Sequence, residues 1–210
     1  MLTQAARTSA IESPSADDDR ALVAALRAGS PDAAARAWER LAPMVLRILQ
    51  RYFGPGADQQ DLCQEVFLRL FARIDELRDA GALRAFAINI CLGVARNELR
   101  SRRARARVGL TASGELPAQA GAACDWEARE AVTRLYGILA GAGAEDRALF
   151  VIRYVEKLPL DEIGAVMGWS TTTVKRRLAR TTRRVEARLR RDPVLAMYVE
   201  TKNQSKGEDR

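Results

Sequence analysis

The stretch from Pro159 to Arg191 reads PLDEIGAVMGWSTTTVKRRLARTTRRVEARLRR and predicts two helices joined by a short turn. Apolar residues recur every three or four positions in both parts, which is typical of helices that bury one face. Gly168 and Trp169 interrupt the pattern, and Ser170 stands where a helix N-cap is expected. The segment therefore predicts a helix-turn-helix. Its expected buried seam is formed by Ile163, Val166, Met167, Val174, Leu178, Val185 and Leu189.

The polar face of the second helix carries threonines and basic residues in its N-terminal turns. A recognition helix inserts this part into the major groove, where such side chains bond to base edges and phosphates. An αα-hairpin with a solvated basic face would show the same periodicity, and the pattern alone leaves the two interpretations nearly even. The position of the polar residues favours DNA binding. These residues are Thr172, Thr173, Lys175, Arg176, Arg177, Arg180, Arg183 and Arg184.

Basic residues are concentrated in two parts of a chain whose net charge is +7. Residues 96–107 and 175–191 together hold 15 of the 34 lysines and arginines, but only Glu98 and Glu186 of the 27 acidic residues. The remainder of the chain is therefore net acidic. Nearly all the basic residues are arginine, whose guanidinium binds phosphate through a rigid pair of donors. The clustering predicts two surfaces that contact nucleic acid.

The rest of the chain also predicts helices, and no segment shows the pattern of a strand. One apolar stripe includes Trp38, and another starts after Asp58 and runs to Leu77. The expected fold class is all-α, with two helical domains joined by a flexible linker rich in glycine. The predicted boundaries are a disordered N-terminus at 1–16, a first domain at 17–107, a linker at 108–124, a second domain at 125–191 and a tail at 192–210.

The composition excludes several classes of functional site. Histidine is absent, and Cys63, Cys91 and Cys124 form no CxxC pair, so neither a Ser-His-Asp set nor a zinc knuckle can form. No GxxxxGK phosphate loop is present. We therefore expect no catalytic residue, no metal and no cofactor. The sequence shows neither a signal peptide nor an apolar run of membrane-spanning length, which favours a cytoplasmic protein without membrane insertion.

The third predicted helix has a polar face with Asp61, Glu65 and Arg69 at intervals of four. An acidic residue placed N-terminal to a basic one at this spacing forms a favourable surface pair. A solvated face and a docking surface would both carry this pattern, so both interpretations stay open at this point.

Three segments resemble parts of bacterial sigma-70 factors. DRALFVIRYVEKLPLDEIGAVMGWSTTTVKRRLARTTRRVEARL, Asp146 to Leu189, resembles their promoter-reading C-terminal domain. DLCQEVFLRLF, Asp61 to Phe71, resembles the helix that binds core polymerase, and LRAFAINICLGVARNELRSRR, Leu83 to Arg103, resembles the promoter-melting helix. The order of the segments and the presence of only two domains are similar to the small extracytoplasmic-function class, group 4 of the family.

The resemblance implies a sigma region 2-like first domain and a sigma region 4-like second domain. A protein of this kind binds core RNA polymerase, is no enzyme, and directs transcription initiation by reading the −35 and −10 promoter elements. Its implied partners are core RNA polymerase, promoter DNA and an anti-sigma factor. The implied polymerase-binding residues are Asp61, Gln64, Glu65, Leu68 and Arg69. The residues implied at the −10 element are Arg84, Gly93, Arg96, Asn97, Arg100, Arg102 and Arg103. Those implied at the −35 element are Thr171, Thr172, Thr173, Lys175, Arg176, Arg177, Ala179 and Arg180.

Some positions depart from the family pattern. Gly93 stands where the family usually has asparagine, Asn89 replaces a basic residue, and Arg176 stands where serine is common. The family pattern therefore does not define which promoter sequence this chain would read, whereas the resemblance to the family is unaffected. The alternative function is a helix-turn-helix regulator that binds duplex DNA as a dimer without core polymerase. The segment DLCQEVF, followed by an arginine-tailed helix, favours the sigma factor.

Overall fold

The structure is a computed structural model that describes residues 16–54, 58–107 and 126–196. Within these ranges the regular elements are helices and no strand occurs, so the predicted all-α class is confirmed. The helices are α1 (Ala16–Arg27), α2 (Pro31–Phe53), α3 (Gln59–Ala72), α4 (Leu83–Arg107), α5 (Trp126–Ala140), α6 (Ala144–Tyr154), α7 (Leu160–Met167) and α8 (Thr171–Leu189). The predictions made for the N-terminus, for the linker and for Cys124 lie outside the described residues.

Helices α1 to α4 form the first domain around an apolar core. Val45, Ile48 and Leu49 of α2 are completely buried, and Leu70 of α3 packs among them. Trp38 departs from the prediction, because its side chain is 40% exposed. Its ring lies 4.5 Å from that of Phe67, so it covers the junction of α2 and α3 instead of filling the core. No helix in the described ranges combines the length and apolarity that a membrane span requires.

The third helix is shorter than its apolar stripe predicts. It ends at Ala72, and a 3₁₀ turn over Ile74–Glu76 follows. The Leu77 amide bonds to the Ile74 carbonyl at 3.2 Å, which tightens the winding of the chain. Ile74 and Leu77 are nevertheless buried, at 6% and 5% exposed. The prediction of their burial is confirmed, and the prediction of one continuous helix through them is wrong.

Helices α5 to α8 form the second domain, in which α8 packs against α5, α6 and α7. Ile163, Val174 and Val185 of the predicted seam are buried. The chain after α8 makes a further turn that packs Leu195 into the domain with 5% exposure. The start of the C-terminal tail therefore belongs to the folded body.

The two domains also contact each other. Helix α2 packs against α6, and α4 packs against both α6 and α7. One apolar cluster runs without interruption from Leu22 in α1 to Val174 in α8. The sequence predicts two domains but not this shared core.

Candidate nucleic-acid interface

The turn before α8 determines how this helix is held against α7. Gly168 has φ 69°, a left-handed conformation that favours glycine at the end of a helix. A Cβ at Gly164 would lie 2.7 Å from the Trp169 carbonyl oxygen, so glycine permits the close approach of the turn. The Thr173 amide donates a hydrogen bond to the Ser170 Oγ at 3.3 Å, which confirms the predicted N-cap.

Most residues predicted to read the −35 element lie on the exposed surface of α8. Thr173 and Arg177 are half-buried. The described residues contain no ion-pair partner for Lys175 or Arg176, whose neighbours on the helix do have partners. Lys175 and Arg176 are therefore available to bases and phosphates. The exposed members of the predicted set are Thr171, Thr172, Lys175, Arg176, Ala179 and Arg180.

Arg177 is held by the protein itself. Its guanidinium lies 4.1 Å from the centre of the Trp169 ring, at a cation–π distance. Its Nη1 also donates to the Glu145 Oε2 at 2.5 Å. These two contacts fix the side chain between the turn and α6, so Arg177 stabilises the position of α8 in this structure.

A single acid of α6 lies beside two other arginines of α8. Asp146 has only 10% of its side chain exposed. Its Oδ1 lies 3.5 Å from the Arg180 Nη2, and its Oδ2 lies 3.6 Å from the Arg184 Nη1. The acid orients both guanidinium groups, while more than half of each arginine side chain stays exposed.

The residues predicted for the −10 element separate into groups along α4. Arg84, in the first turn, donates to Glu156 of the second domain at 3.2 Å. Arg102 bonds to Glu98 at 2.7 Å and lies over the Phe53 ring at 4.7 Å. Arg103 is exposed. The remaining members lie together around a cleft, namely Gly93, Arg96, Asn97 and Arg100.

This cleft has a volume of about 570 Å³, which is within the usual size range of ligand-binding clefts. Arg100 donates to the Asn97 Oδ1 at 2.9 Å on its wall. Guanidinium and amide groups bind phosphates and the edges of unpaired bases, so the cleft fits single-stranded nucleic acid. Arg73 also lines it. This residue follows α3 in the chain, so the pattern of basic residues along α4 does not point to it. The complete lining is Arg69, Arg73, Asn89, Ile90, Gly93, Arg96, Asn97, Arg100, Ala144 and Glu145.

The polar face of α3 contains an exposed leucine. Leu68 is 66% exposed, and Asp61 and Gln64 beside it are exposed as well. Glu65 and Arg69 form the predicted pair, with the Arg69 Nε 2.7 Å from the Glu65 Oε1. Asp61, Gln64 and Leu68 thus form an exposed patch of two polar side chains and one apolar side chain.

Neither thiol in the described residues is suited to chemistry. Burial raises the pKa of Cys63 to about 11 and raises the pKa of Cys91 as well. A protonated, buried thiol is a poor nucleophile and a poor metal ligand. The described ranges contain no cluster of acidic or cysteine side chains that could hold a metal ion.

Two family models match the chain. Sigma-70 region 2 matches residues 37–105, from within α2 to the last turn of the basic helix α4. Sigma-70, region 4 matches residues 143–187, which contain the helix-turn-helix. The chain belongs to the sigma-70 family. The family predicted from the sequence is thereby confirmed, and the two matches together span more than half of this sigma-70 chain.

Solved structures share the fold. One is the structure of CnrH in complex with the cytosolic domain of CnrY, with a TM-score of 0.64 and 22% identity over 83% of this chain and 98% of that chain. Another is the sigma factor RpoE in complex with the anti-sigma factor NepR from Bartonella quintana, with a TM-score of 0.59 and 15% identity over 75% of this chain and 96% of that chain. Among curated proteins no sequence matches this chain.

Proposed function

We propose that this protein is an RNA polymerase sigma factor of the extracytoplasmic-function type, which binds core polymerase and directs it to specific promoters. The observation that carries the proposal is the presence of both sigma-70 regions in one chain. Promoter-specific initiation requires one contact to polymerase and two contacts to DNA, and α3, α4 and α8 offer three separate surfaces. The function is not enzymatic, and its site is the cytoplasm, where the polymerase works.

The proposed polymerase contact is the exposed face of α3. Leu68 would be buried at its centre, with Asp61 and Gln64 at its rim. Protein interfaces commonly combine an apolar centre with a polar rim. The pair between Glu65 and Arg69 limits the movement of both side chains, so less conformational entropy is lost when the face docks.

The proposed contact to the −35 element is made by the N-terminal turns of α8 in the major groove. Lys175 and Arg176 support this role, since both are exposed and lack an acidic partner within the described ranges. A basic side chain of this kind makes two bonds to one guanine edge. The threonines of the first turn add contacts to phosphates and bases.

The proposed contact to the −10 element is made by the cleft on α4. Opening the duplex costs a few kcal/mol for each unstacked base. Arg96 and Arg100 would offset this cost by neutralising phosphates, and Asn97 would bond to the edge of a captured base. Gly93 leaves space beside that position, because no atom outside the neighbouring backbone of α4 lies within 4 Å of where its Cβ would be.

An anti-sigma factor is a further proposed partner. The two solved structures described above each contain a second protein: the cytosolic domain of CnrY with CnrH, and the anti-sigma factor NepR with RpoE. The proposal extends this arrangement to the present chain as a class of partner, and it needs no cofactor.

Co-elution with purified core RNA polymerase tests the proposal. We expect the wild-type protein to co-elute with core polymerase in gel filtration, because Leu68 anchors the α3 face. Leu68→Asp should weaken this association by at least about tenfold. The matched control is Val132→Asp on α5, which changes another exposed apolar residue, 41% exposed, and should leave the association unchanged. Failure to co-elute with core polymerase, together with binding to a palindromic duplex as a dimer, would contradict the proposal. This result would favour a helix-turn-helix regulator.

A further inference from the structure

One acid of the second domain is shared by two arginines of the recognition helix. Asp146 lies in the first turn of α6, with only 10% of its side chain exposed. Its two carboxylate oxygens face different partners, Oδ1 the Arg180 Nη2 at 3.5 Å and Oδ2 the Arg184 Nη1 at 3.6 Å. Each arginine therefore directs one nitrogen at the same carboxylate. We call these three side chains the Asp146 clamp.

The carboxylate keeps two like charges side by side. Arg180 and Arg184 are four positions apart on α8, and like charges at this spacing repel each other. Asp146 is nearly buried, so water and salt screen its charge only weakly. Its attraction for both guanidinium groups offsets their repulsion. The clamp as a whole carries two positive charges and one negative charge, so it stays net positive.

The outer donors of both arginines face solvent. The Arg180 side chain is 53% exposed and the Arg184 side chain is 65% exposed, and no further acid among the described residues pairs with either. A guanidinium has several N–H donors, and the contact with Asp146 leaves most of them available. Side chains that are already held in place lose less conformational entropy when they bind an anion. The clamp therefore suits a ligand that carries phosphate groups.

The position of the clamp along α8 places it at the edge of the DNA groove. Arg180 follows Arg176 by four positions, so the two share a face of the helix. Arg184 follows Arg176 by eight positions, or about 12 Å along the helix axis. The major groove is about 8.5 Å deep. When the N-terminal turns of α8 lie at the floor of the groove, the clamp therefore lies at its rim, beside the phosphates.

The neighbouring acid of α6 has a different role. Glu145 pairs with Arg177, whose guanidinium also lies over the Trp169 ring at 4.1 Å. Only 31% of the Arg177 side chain is exposed, and its contacts are made within the protein. Two adjacent acids thus hold arginines of α8 for different ends, because one supports the turn and the other leaves its partners open to solvent.

We propose that Asp146 is a positioning residue for DNA binding, which holds Arg180 and Arg184 as a pair that binds the phosphate backbone beside the −35 element. The inference rests on the proposed function and adds how α8 is fixed on the duplex. Phosphate contacts set the register and orientation of a protein on DNA without reading its sequence. Asp146 does not touch the DNA, and it acts only through the two arginines.

Binding of the full chain to short duplexes of randomised sequence measures phosphate contacts without base reading. Removal of an acidic charge near DNA by itself strengthens binding, so a weaker complex identifies positioning. We expect Asp146→Asn to weaken binding about threefold to tenfold. The slope of log affinity against log salt concentration should become shallower by about one, as for one lost phosphate contact.

The matched control is Glu145→Gln, which removes the same charge from the adjacent position. Its partner Arg177 is not part of the clamp, so we expect equal or slightly tighter binding and an unchanged salt slope. If Asp146→Asn binds as tightly as this control, with the same slope, the proposal is overturned.

A double-mutant cycle shows whether the acid acts through the arginines. In a chain that carries both Arg180→Gln and Arg184→Gln, adding Asp146→Asn should no longer weaken binding. An equal loss in both backgrounds would overturn the proposal. The double arginine variant alters exposed side chains only, so it tests the clamp even if Asp146→Asn is unstable. A salt slope unchanged from that of the wild type in this variant would also overturn the proposal.

Co-elution with core polymerase separates this inference from the proposed function. The variants of α6 and α8 leave the α3 face intact and should co-elute as the wild type does. If they co-elute but the cycle shows no coupling, only the role of Asp146 is overturned. If no protein co-elutes while the cycle shows coupling, the proposed function is overturned, and the clamp remains as a contact to DNA.

Discussion

Helices α4 and α8 of this sigma factor both carry clusters of arginine, yet their access to DNA differs. Helix α8 packs on its own domain and leaves its N-terminal turns exposed. Helix α4 contacts α2, α3, α6 and α7. Its polar residues Arg96, Asn97 and Arg100 therefore lie in a cleft, and residues of the second domain form part of the wall of this cleft. In the proposed function, duplex reading by α8 therefore needs no rearrangement of the described structure, whereas an unpaired base would reach the α4 residues through a cleft that Ala144 and Glu145 help to line.

The largest expected effect comes from removing two positively charged side chains from the cleft on α4. Arg96→Ala combined with Arg100→Ala should lower open-complex formation on the order of 100-fold, because two charge-assisted contacts to the melted strand are lost. Permanganate footprinting of unpaired thymines measures this step. Binding of the protein to a duplex that contains only the −35 element should not change.

The matched control is Arg105→Ala, which removes one charge from the same helix outside the cleft. Arg105 donates to Glu98 at 2.9 Å and does not line the cleft. We expect its effect on strand opening to stay below about tenfold. Equal losses in the control and in the cleft variant would mean that net charge, not the cleft, determines opening.

A smaller effect is expected when α8 loses Arg176, an exposed arginine without an ion-pair partner among the described residues. Arg176→Ala should reduce discrimination at one base pair of the −35 element by about 1 to 3 kcal/mol. Competition binding with every single-base variant of the element measures this value. An unchanged ranking of the variants would contradict a base-reading role of Arg176.

The N-cap of α8 should affect stability more than sequence preference. Ser170→Ala removes the acceptor of the Thr173 amide and should lower the free energy of unfolding by about 1 kcal/mol. Ser170→Gly should lower it by only a few tenths of that, about 0.3 kcal/mol. Urea denaturation followed by circular dichroism compares the two variants. The reverse ranking would show that the cap bond does not hold the helix start.

An effect slightly smaller than that of Ser170→Ala is expected for Arg177, which lies next to Arg176 but contacts the turn before α8. Arg177→Ala should lower the free energy of unfolding by about 0.5 to 1 kcal/mol through the lost contact with Trp169. Its ranking of −35 variants should equal that of the wild type, in contrast to Arg176→Ala. A changed base preference would place Arg177 among the reading residues.

Periodicity in the sequence predicts the local features of a single helix, such as its cap, its surface pairs and its buried face. The helix-turn-helix, the cap at Ser170, the pair of Glu65 with Arg69 and the burial of Ile163 all depend on residues within a few positions of each other. Such patterns also carry the resemblance to the sigma-70 family. The exposed Leu68 could be predicted for the same reason, since it falls on the polar face of α3.

Contacts between distant parts of the chain could not be predicted in this way. Arg84 belongs to a cluster expected at DNA, but its partner Glu156 lies 72 positions later in the other domain. Arg177 is an arginine in the same turn of α8 as Arg176, so the sequence does not distinguish the two. Only the folded turn places the Arg177 guanidinium over the Trp169 ring. An amphipathic stripe shows that one face is buried without showing which element covers it.

Transcription from a random promoter library, with purified core polymerase and this protein, is the decisive experiment. We expect the protein to select promoters sharing two sequence elements at a fixed spacing, upstream of defined start sites. We also expect Arg176→Ala to alter only the upstream element, and Arg96→Ala with Arg100→Ala to remove initiation from the same promoters. Start sites identical to those of core polymerase alone would show that the protein does not direct initiation.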